Sequence, residues 1–211
     1  MNPLYFVGLD LGQAQQYTAI AALERTTTPD LQTPDREVRH YAVRHLQRFP
    51  LGTPYTAVCA RLVEMFASAP LSGTTLLVDQ TAVGRPVVQM LRRSRINARI
   101  RAIALSLGQK ATGRGVRLVP RKELVSTLQV LLQARRLKVS PALPEAQTLV
   151  TELMKFKAKP TTATDDTLES WREGPHDDLV LAVAMAAWEG ENHQGFLYWL
   201  RLRDDLLRDE L

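Results

Sequence analysis

The sequence predicts an α/β protein in which a mixed sheet of five strands is flanked by helices. Three observations lead there. Two apolar runs with a polar tip between them open the chain, and amphipathic helical stretches alternate with short β-rich runs from about residue 50 onward. Breaks dense in Thr, Pro, Asp and Gly separate these runs.

The runs LYFVGLDLG and TAIAAL, within Leu4 to Leu23, flank the polar tip Gln13 to Gln16 and read as a hairpin. Thr26 to Asp35 reads as a loop because it is crowded with Thr, Pro and Asp, and Glu37 to Leu46 as the third strand. Thr53 before Pro54 offers a hydroxyl cap with proline at the first helical position, so a helix is expected from there to about Ala67. Pro70 to Gly73 breaks the chain before TTLLVD, a strand ending in Asp79. Arg85 to Ser94 fits an amphipathic helix, and Ala98 to Leu105 the fifth strand, which leads into the basic connection GQKATGRG.

Arg121 to Arg136 is the longest amphipathic stretch, with Leu124, Leu128, Leu131 and Leu132 on one face. Pro141 and Pro144 separate it from a helix over about Pro144 to Met154. The segment KFKAKPTTATDDTLESWREG reads as an exposed excursion, with Lys155, Lys157 and Lys159 alternating on one face of an expected strand. An alanine-rich helix is expected over Asp177 to Trp188 and an amphipathic one over Phe196 to Glu210. Residues 1–190 are thus expected to form one domain. Residues 191–211 are expected as a helical extension packed on it or on a partner.

Composition narrows the class. With 211 residues, 45% hydrophobic and 23% charged, the chain can bury one sizeable core and is neither disordered nor fibrous. The longest apolar run, Leu179 to Trp188, is too short to span a bilayer. A single cysteine, Cys59, excludes an internal disulfide and a multi-cysteine metal site, and the opening MNPLYFVGLDLG lacks a basic leader, so an intracellular protein is expected. The net charge of +5 is unevenly distributed. From Arg85 to Lys159 there are 17 Lys and Arg against 3 acidic residues, while the remainder carries 10 basic and 19 acidic ones. Such a basic middle reads either as a solvated surface or as a phosphate-binding groove. Arg85, Lys110, Arg114, Arg117, Lys155, Lys157 and Lys159 are the candidates for contacts to a nucleic-acid backbone, which bring affinity without base specificity.

The carboxylates carry the chemistry. Asp10 interrupts FVGLDL, a run that otherwise calls for burial, where an unpaired charge is costly. Asp79 ends its strand where open α/β sheets bind ligands, although an Asx turn explains it equally well. His176, Asp177 and Asp178 stand before LVLAVAMAAW, where one aspartate can cap the helix while its neighbour, about 100° around the axis, faces inward. Ala182, Ala184, Ala186 and Ala187 allow this helix to approach the sheet, carrying an aspartate towards Asp10 and Asp79. Gathered carboxylates repel one another unless a cation neutralises them, and an all-oxygen donor set suits magnesium or manganese. Two such ions are suited to phosphodiester hydrolysis.

GLDLG with TAIAAL, then VDQTAVGRPVVQML, ELMKFKAK and GPHDDLVLAVAMA, in that order, resemble the nuclease domain of phage terminase large subunits. The resemblance covers about Phe6 to Trp188 and implies a ribonuclease H-like, resolvase-related fold that cuts concatemeric viral double-stranded DNA during genome packaging in the bacterial cytoplasm. It implies two Mg²⁺ or Mn²⁺ ions, with Asp10 as the bridging ligand, Asp79 in one coordination shell and one of the pair Asp177 and Asp178 in the other, Asp178 being favoured and both counting as candidate catalytic and metal residues. Asp177 or His176 would then orient a ligand or water, although His176 reads equally as a loop histidine. The motor signature GxxxxGK[ST] of a complete terminase is absent from these 211 residues, so the chain is expected to be either the nuclease domain of a longer terminase or a stand-alone nuclease whose motor is encoded elsewhere or absent, with a separate packaging ATPase, a small terminase or a portal as candidate partners. Alternatives of the same fold are a Holliday-junction resolvase, a transposase-like nuclease and a catalytically silent DNA-binding domain. A sugar-kinase or actin-like ATPase shares Asp-x-Gly in its first hairpin but needs a second lobe that 211 residues hardly supply.

Overall fold

The computed structural model describes residues 3–13, 15–30, 33, 37–81, 83–106, 117–156 and 177–193. Three antiparallel strands open the chain: β1 (Leu4–Asp10), β2 (Ala19–Pro29) and β3 (Glu37–Arg48). Then follow α1 (Tyr55–Met65), β4 (Thr75–Asp79), α2 (Gly84–Arg93), β5 (Arg99–Ser106), β6 (Arg117–Pro120), α3 (Arg121–Gln133), β7 (Leu137–Val139), α4 (Ala146–Phe156) and α5 (Asp178–Asn192). The strands form one mixed sheet in the order β6-β5-β4-β1-β2-β3-β7, with β4 parallel to β1, β5 to β4, β6 to β5 and β7 to β3. The expected α/β class, a mixed sheet flanked by helices, holds, and the five expected strands occupy the middle of the sheet.

The sheet is wider than expected because each edge gains a short strand. RLVP and LKV, four and three residues long, are too brief to show an alternating pattern. The stretch expected as a loop from Thr26 begins instead as strand: Thr26 to Pro29 pair with His40 to Glu37, where β-branched threonines suit the pleat. Thr53 does not cap α1. Its hydroxyl donates to the Pro50 carbonyl at 2.6 Å, closing the preceding turn, and Pro54 takes the cap position with no side-chain bond. Lys155 lies in the last turn of α4 rather than in a strand. The rest of that expected excursion and the expected helix over Phe196 to Glu210 lie outside the described residues.

Strand alternation sorts the core into two layers. Val7, Leu9, Leu76 and Val78 point to the side covered by α1 and α2, whereas Phe6 and Leu77 point to the side of α3, α4 and α5. Helix α5 is buried along nearly its whole length, from Asp178 to Gly190, which explains why it is apolar on every face. It lies directly on β1: a Cβ at Gly8 would stand 2.1 Å from the Ala182 carbonyl oxygen and 3.1 Å from the Ala186 nitrogen. At its far end Arg25 and Arg39 donate to the carbonyls of Gly190 and Glu191, each at 2.5 Å, and Tyr41 donates to the Glu191 carboxylate at 2.8 Å. Cationic donors thus satisfy the helix's last carbonyls and fix its position along β1.

Gly8→Ala should therefore lower the unfolding free energy by about 1–3 kcal/mol, the usual cost of overpacking, in a urea titration. Val150→Ala, at a position 45% exposed on α4, should change it by less than about 0.5 kcal/mol.

Candidate active site

The site begins with strand parity. Asp10 shares its face of β1 with Phe6 and Gly8, and Asp79 shares its face of β4 with Leu77, so both carboxylates belong to the side of the sheet on which α5 lies. The two strands are parallel neighbours paired through Leu9 and Val78, one residue before each aspartate, so Asp10 and Asp79 stand side by side at the same level. Because α5 runs antiparallel to β1, with Ala182 and Ala186 at Gly8 and Gly190 near Arg25, its N-terminus comes to this end of the sheet. Asp177 and Asp178 arrive with it.

Each carboxylate has a distinct environment. Asp79 turns back on its own loop, with Oδ1 accepting from the Thr81 N–H at 2.9 Å and the Thr81 hydroxyl at 2.6 Å. That hydroxyl in turn accepts from the Leu105 N–H at 3.1 Å, tying Asp79 to β5. The turn depends on Gly84, where a Cβ would fall 2.1 Å from the Asp79 carbonyl oxygen. Asp79 thus forms the Asx turn while its charge still acts on Asp10. Asp177 is ion-paired with Arg121, the first residue of α3. Asp178 is 4% exposed, and its Oδ2 has no hydrogen-bond partner among the described residues.

The electrostatics follow from this crowding. Burial first, and then the charges of Asp178, Asp79 and Asp177, push the Asp10 carboxyl well above the ordinary range, against the opposing pull of Arg121. Burial and Asp177 raise Asp178 to about 6, while Arg48 and the backbone of Asp178 and Tyr17 hold it down. A fifth acid belongs here that the sequence reading did not single out. Glu152 of α4, 4% exposed, accepts from the N–H groups of Leu179 and Val180 through Oε2 at 3.0 and 3.2 Å, and from Arg48 through Oε1 at 3.4 Å. Burial, with Asp178 adding to it, raises Glu152 to about 7. The guanidinium of Arg48 lies over the Tyr17 ring, 4.2 Å from its centroid.

The expectation that one of the paired aspartates caps the helix does not hold. Asp177 occupies the cap position without a side-chain cap bond, and Glu152 supplies the acceptor from another helix. The signal for Glu152 was faint: it is one of only three acids in the basic stretch, and it neighbours the core-facing Leu149 and Leu153. Arg48 and Arg121 gave no signal beyond their type.

Four side chains of the expected set, Asp10, Asp79, Asp177 and Asp178, are brought together. They do not converge fully, for among the described residues no three His, Cys, Asp or Glu side chains stand close enough to hold one ion. Asp79 is drawn towards Thr81 and Asp177 towards Arg121. Of the basic candidates, Arg85 is exposed in the first turn of α2, Arg117 is exposed on β6 with its guanidinium 4.6 Å from the Trp188 ring centroid, and Lys155 is exposed on α4. Lys110, Arg114, Lys157, Lys159 and His176 lie outside the described residues.

No protein-family model matches the chain. Curated relatives do, among them the terminase large subunits of Thermus phage G20c and of Thermus virus P23-45, each 24% identical over 197 residues. Each match takes in 93% of this chain and 34% of the relative, so the chain spans about a third of their length. The chain is thus similar in sequence to phage terminase large subunits. Among solved structures, a Thermus thermophilus RuvC structure shares 9% identity at a TM-score of 0.44, the match covering 89% of this chain and 93% of that one. Among the described residues, no helix of this chain is long and apolar enough to cross a membrane.

The raised carboxyls set a pH dependence. Asp10, Asp178 and Glu152 hold protons more tightly folded than unfolded, so stability falls as pH rises from the ordinary carboxylate range near 4 to about 7. In EDTA, the contribution of each should drop on the order of 1–3 kcal/mol between pH 4.5 and 7.5. Thermal melts of Asp178→Asn should show a flatter profile than those of the parent chain, and equal slopes would contradict this origin.

Proposed function

We propose that this chain is a divalent-metal-dependent endonuclease that hydrolyses phosphodiester bonds of double-stranded DNA, serving as the nuclease of a terminase-type packaging system. The supporting observation is the partnerless buried oxygen of Asp178, set among carboxylates that raise one another's proton affinity. Oxygen donors of this kind fit Mg²⁺ or Mn²⁺ and are unsuited to softer metals. Asp10, Asp79 and Asp178 would hold two such ions, which would supply charge neutralisation at the scissile phosphate.

The chain's own residues prepare that site. Asp10 and Asp178, whose carboxyls are raised, would have to be deprotonated to hold such ions, which would make the site sensitive to pH. Arg121 holds Asp177 to one side and offsets part of the negative charge around Asp10. Thr81 restrains Asp79 by donating its hydroxyl to Oδ1. Arg85, Arg117 and Lys155, with Lys110, Arg114 and Lys157, would meet the DNA backbone. A packaging ATPase, a small terminase and a portal are the proposed partners in the host cytoplasm.

Supercoiled plasmid incubated with the chain and Mg²⁺ or Mn²⁺ should be nicked and linearised, and EDTA should abolish this. Asp10→Asn and Asp178→Asn should each reduce the rate at least about 100-fold, in keeping with the several kcal/mol that metal catalysis supplies. DNA binding without cleavage in any divalent metal would leave a silent binding domain, and strong preference for a four-way junction over linear duplex would make the chain a resolvase. Arg85→Ala should weaken duplex binding alike for all sequences and lower the salt slope by about 1.

A further inference from the structure

We infer that Glu152 is a positioning residue, reaching from α4 to cap the N-terminus of α5 so that Asp178 presents its free carboxylate oxygen to the acidic cluster. The inference rests on the nuclease reading of that cluster. A helix leaves its first backbone N–H groups unsatisfied, and the cap residue's own side chain ordinarily takes the second or third of them. In α5 the cap residue is Asp177 and those groups belong to Leu179 and Val180. Both are bound by Oε2 of Glu152. Asp177 makes no such bond and is committed to Arg121.

The division of labour has a consequence for Asp178. An aspartate folded back over its own helix end would leave Arg121 and draw the first turn with it. With the cap supplied from α4, the backbone on either side of Asp178 is fixed while its Oδ2 stays partnerless. Arg48 completes the support, donating to Glu152 and resting on the Tyr17 ring. The Tyr17 backbone bonds to the Asp178 carboxylate, so the three residues hold the Asp178 backbone and side chain from different directions. A carboxylate beside Asp178 is electrostatically unfavourable, and a neutral acceptor would cap the helix without that repulsion. Arg48 offsets the cost, because it faces both acids.

The test compares the parent chain with Glu152→Ala and Glu152→Gln by amide hydrogen exchange, Mn²⁺ calorimetry and steady-state plasmid cleavage. In Glu152→Ala the Leu179 and Val180 amides should lose protection while the rest of α5 keeps it. Mn²⁺ affinity should fall about tenfold, and kcat about 100-fold with KM for DNA unchanged, the scale expected when a reacting group is displaced by an ångström. Glu152→Gln keeps the acceptor and should restore amide protection and kcat to within about fivefold of the parent, one ordinary hydrogen bond's worth. If Glu152→Ala does not fold, Glu152→Asp, one methylene shorter, should show the same loss of protection and Mn²⁺ affinity. Exposed amides with undiminished Mn²⁺ affinity and kcat would reduce Glu152 to a stabilising cap and overturn the inference. So would protected amides in Glu152→Gln with kcat as low as in Glu152→Ala, since the carboxylate would then act by its charge. A parent chain that cleaves in no metal defeats the nuclease reading alone, and the exchange and Mn²⁺ measurements still decide the role of Glu152.

Discussion

The contact of α5 with β1 is the constraint on which the rest of the structure depends. The helix axis can come this close only because Gly8 has no side chain and because Ala182 and Ala186 line the facing turns. Once that contact is made, both ends of the helix have fixed addresses. Its last carbonyls meet Arg25 and Arg39 over β2 and β3, and its first turn arrives above the ends of β1 and β4. A helix N-terminus carries a partial positive charge, which favours the carboxylates it meets there. That gain is too small for the whole acidic group, which is why Asp10, Asp178 and Glu152 all retain protons above the ordinary range.

Two arginines hold the cluster short of collapse. Arg121 pairs with Asp177 and Arg48 with Glu152, each partly buried beside an acid that a neutral core would not contain. Buried charges of this kind are weak sources of stability, and removing one partner leaves the other uncompensated. The Nε of Arg121 is itself buried without a partner, so even this compensation is incomplete. Polar groups left unsatisfied at the meeting of three elements are expected where a site is shaped for a ligand, because the native packing supplies the means to hold them there.

How much of this was legible in the sequence depended on how local each signal was. The central strands and the placing of Asp10 and Asp79 followed from period-two alternation and from aspartates that interrupt or end apolar runs. Asp178 followed from its position at the head of an apolar helix. Strands β6 and β7 escaped because a strand of three or four residues has no period to read, and they form only against neighbours already in place. Thr26 to Pro29 were misassigned because turn-forming composition was outweighed by pairing with β3 across the sheet. The Glu152 cap could not be read at all, since it joins residues 27 and 28 positions apart through helices whose packing only the fold defines.

The charge imbalance changes meaning once the fold is known. Much of the arginine excess is used inside the molecule: Arg101 meets the buried Glu189 at 2.5 Å, Arg136 meets Glu191 at 3.4 Å, and Arg121 and Arg48 serve the acidic cluster. Net charge therefore overstates what is left to meet an anionic polymer. Among the described residues, one exposed group lies between α2 and β5, where Arg85, Arg92, Arg93, Arg95 and Arg99 are all accessible. Arg85 and Arg92 lie seven residues apart, which places them on one stripe of α2 about 10 Å long. That stripe starts just beyond the turn that holds Asp79, so a phosphate backbone following it would be led towards the carboxylates. The same short turn, made possible by Gly84, thus joins the proposed binding surface to the proposed chemistry.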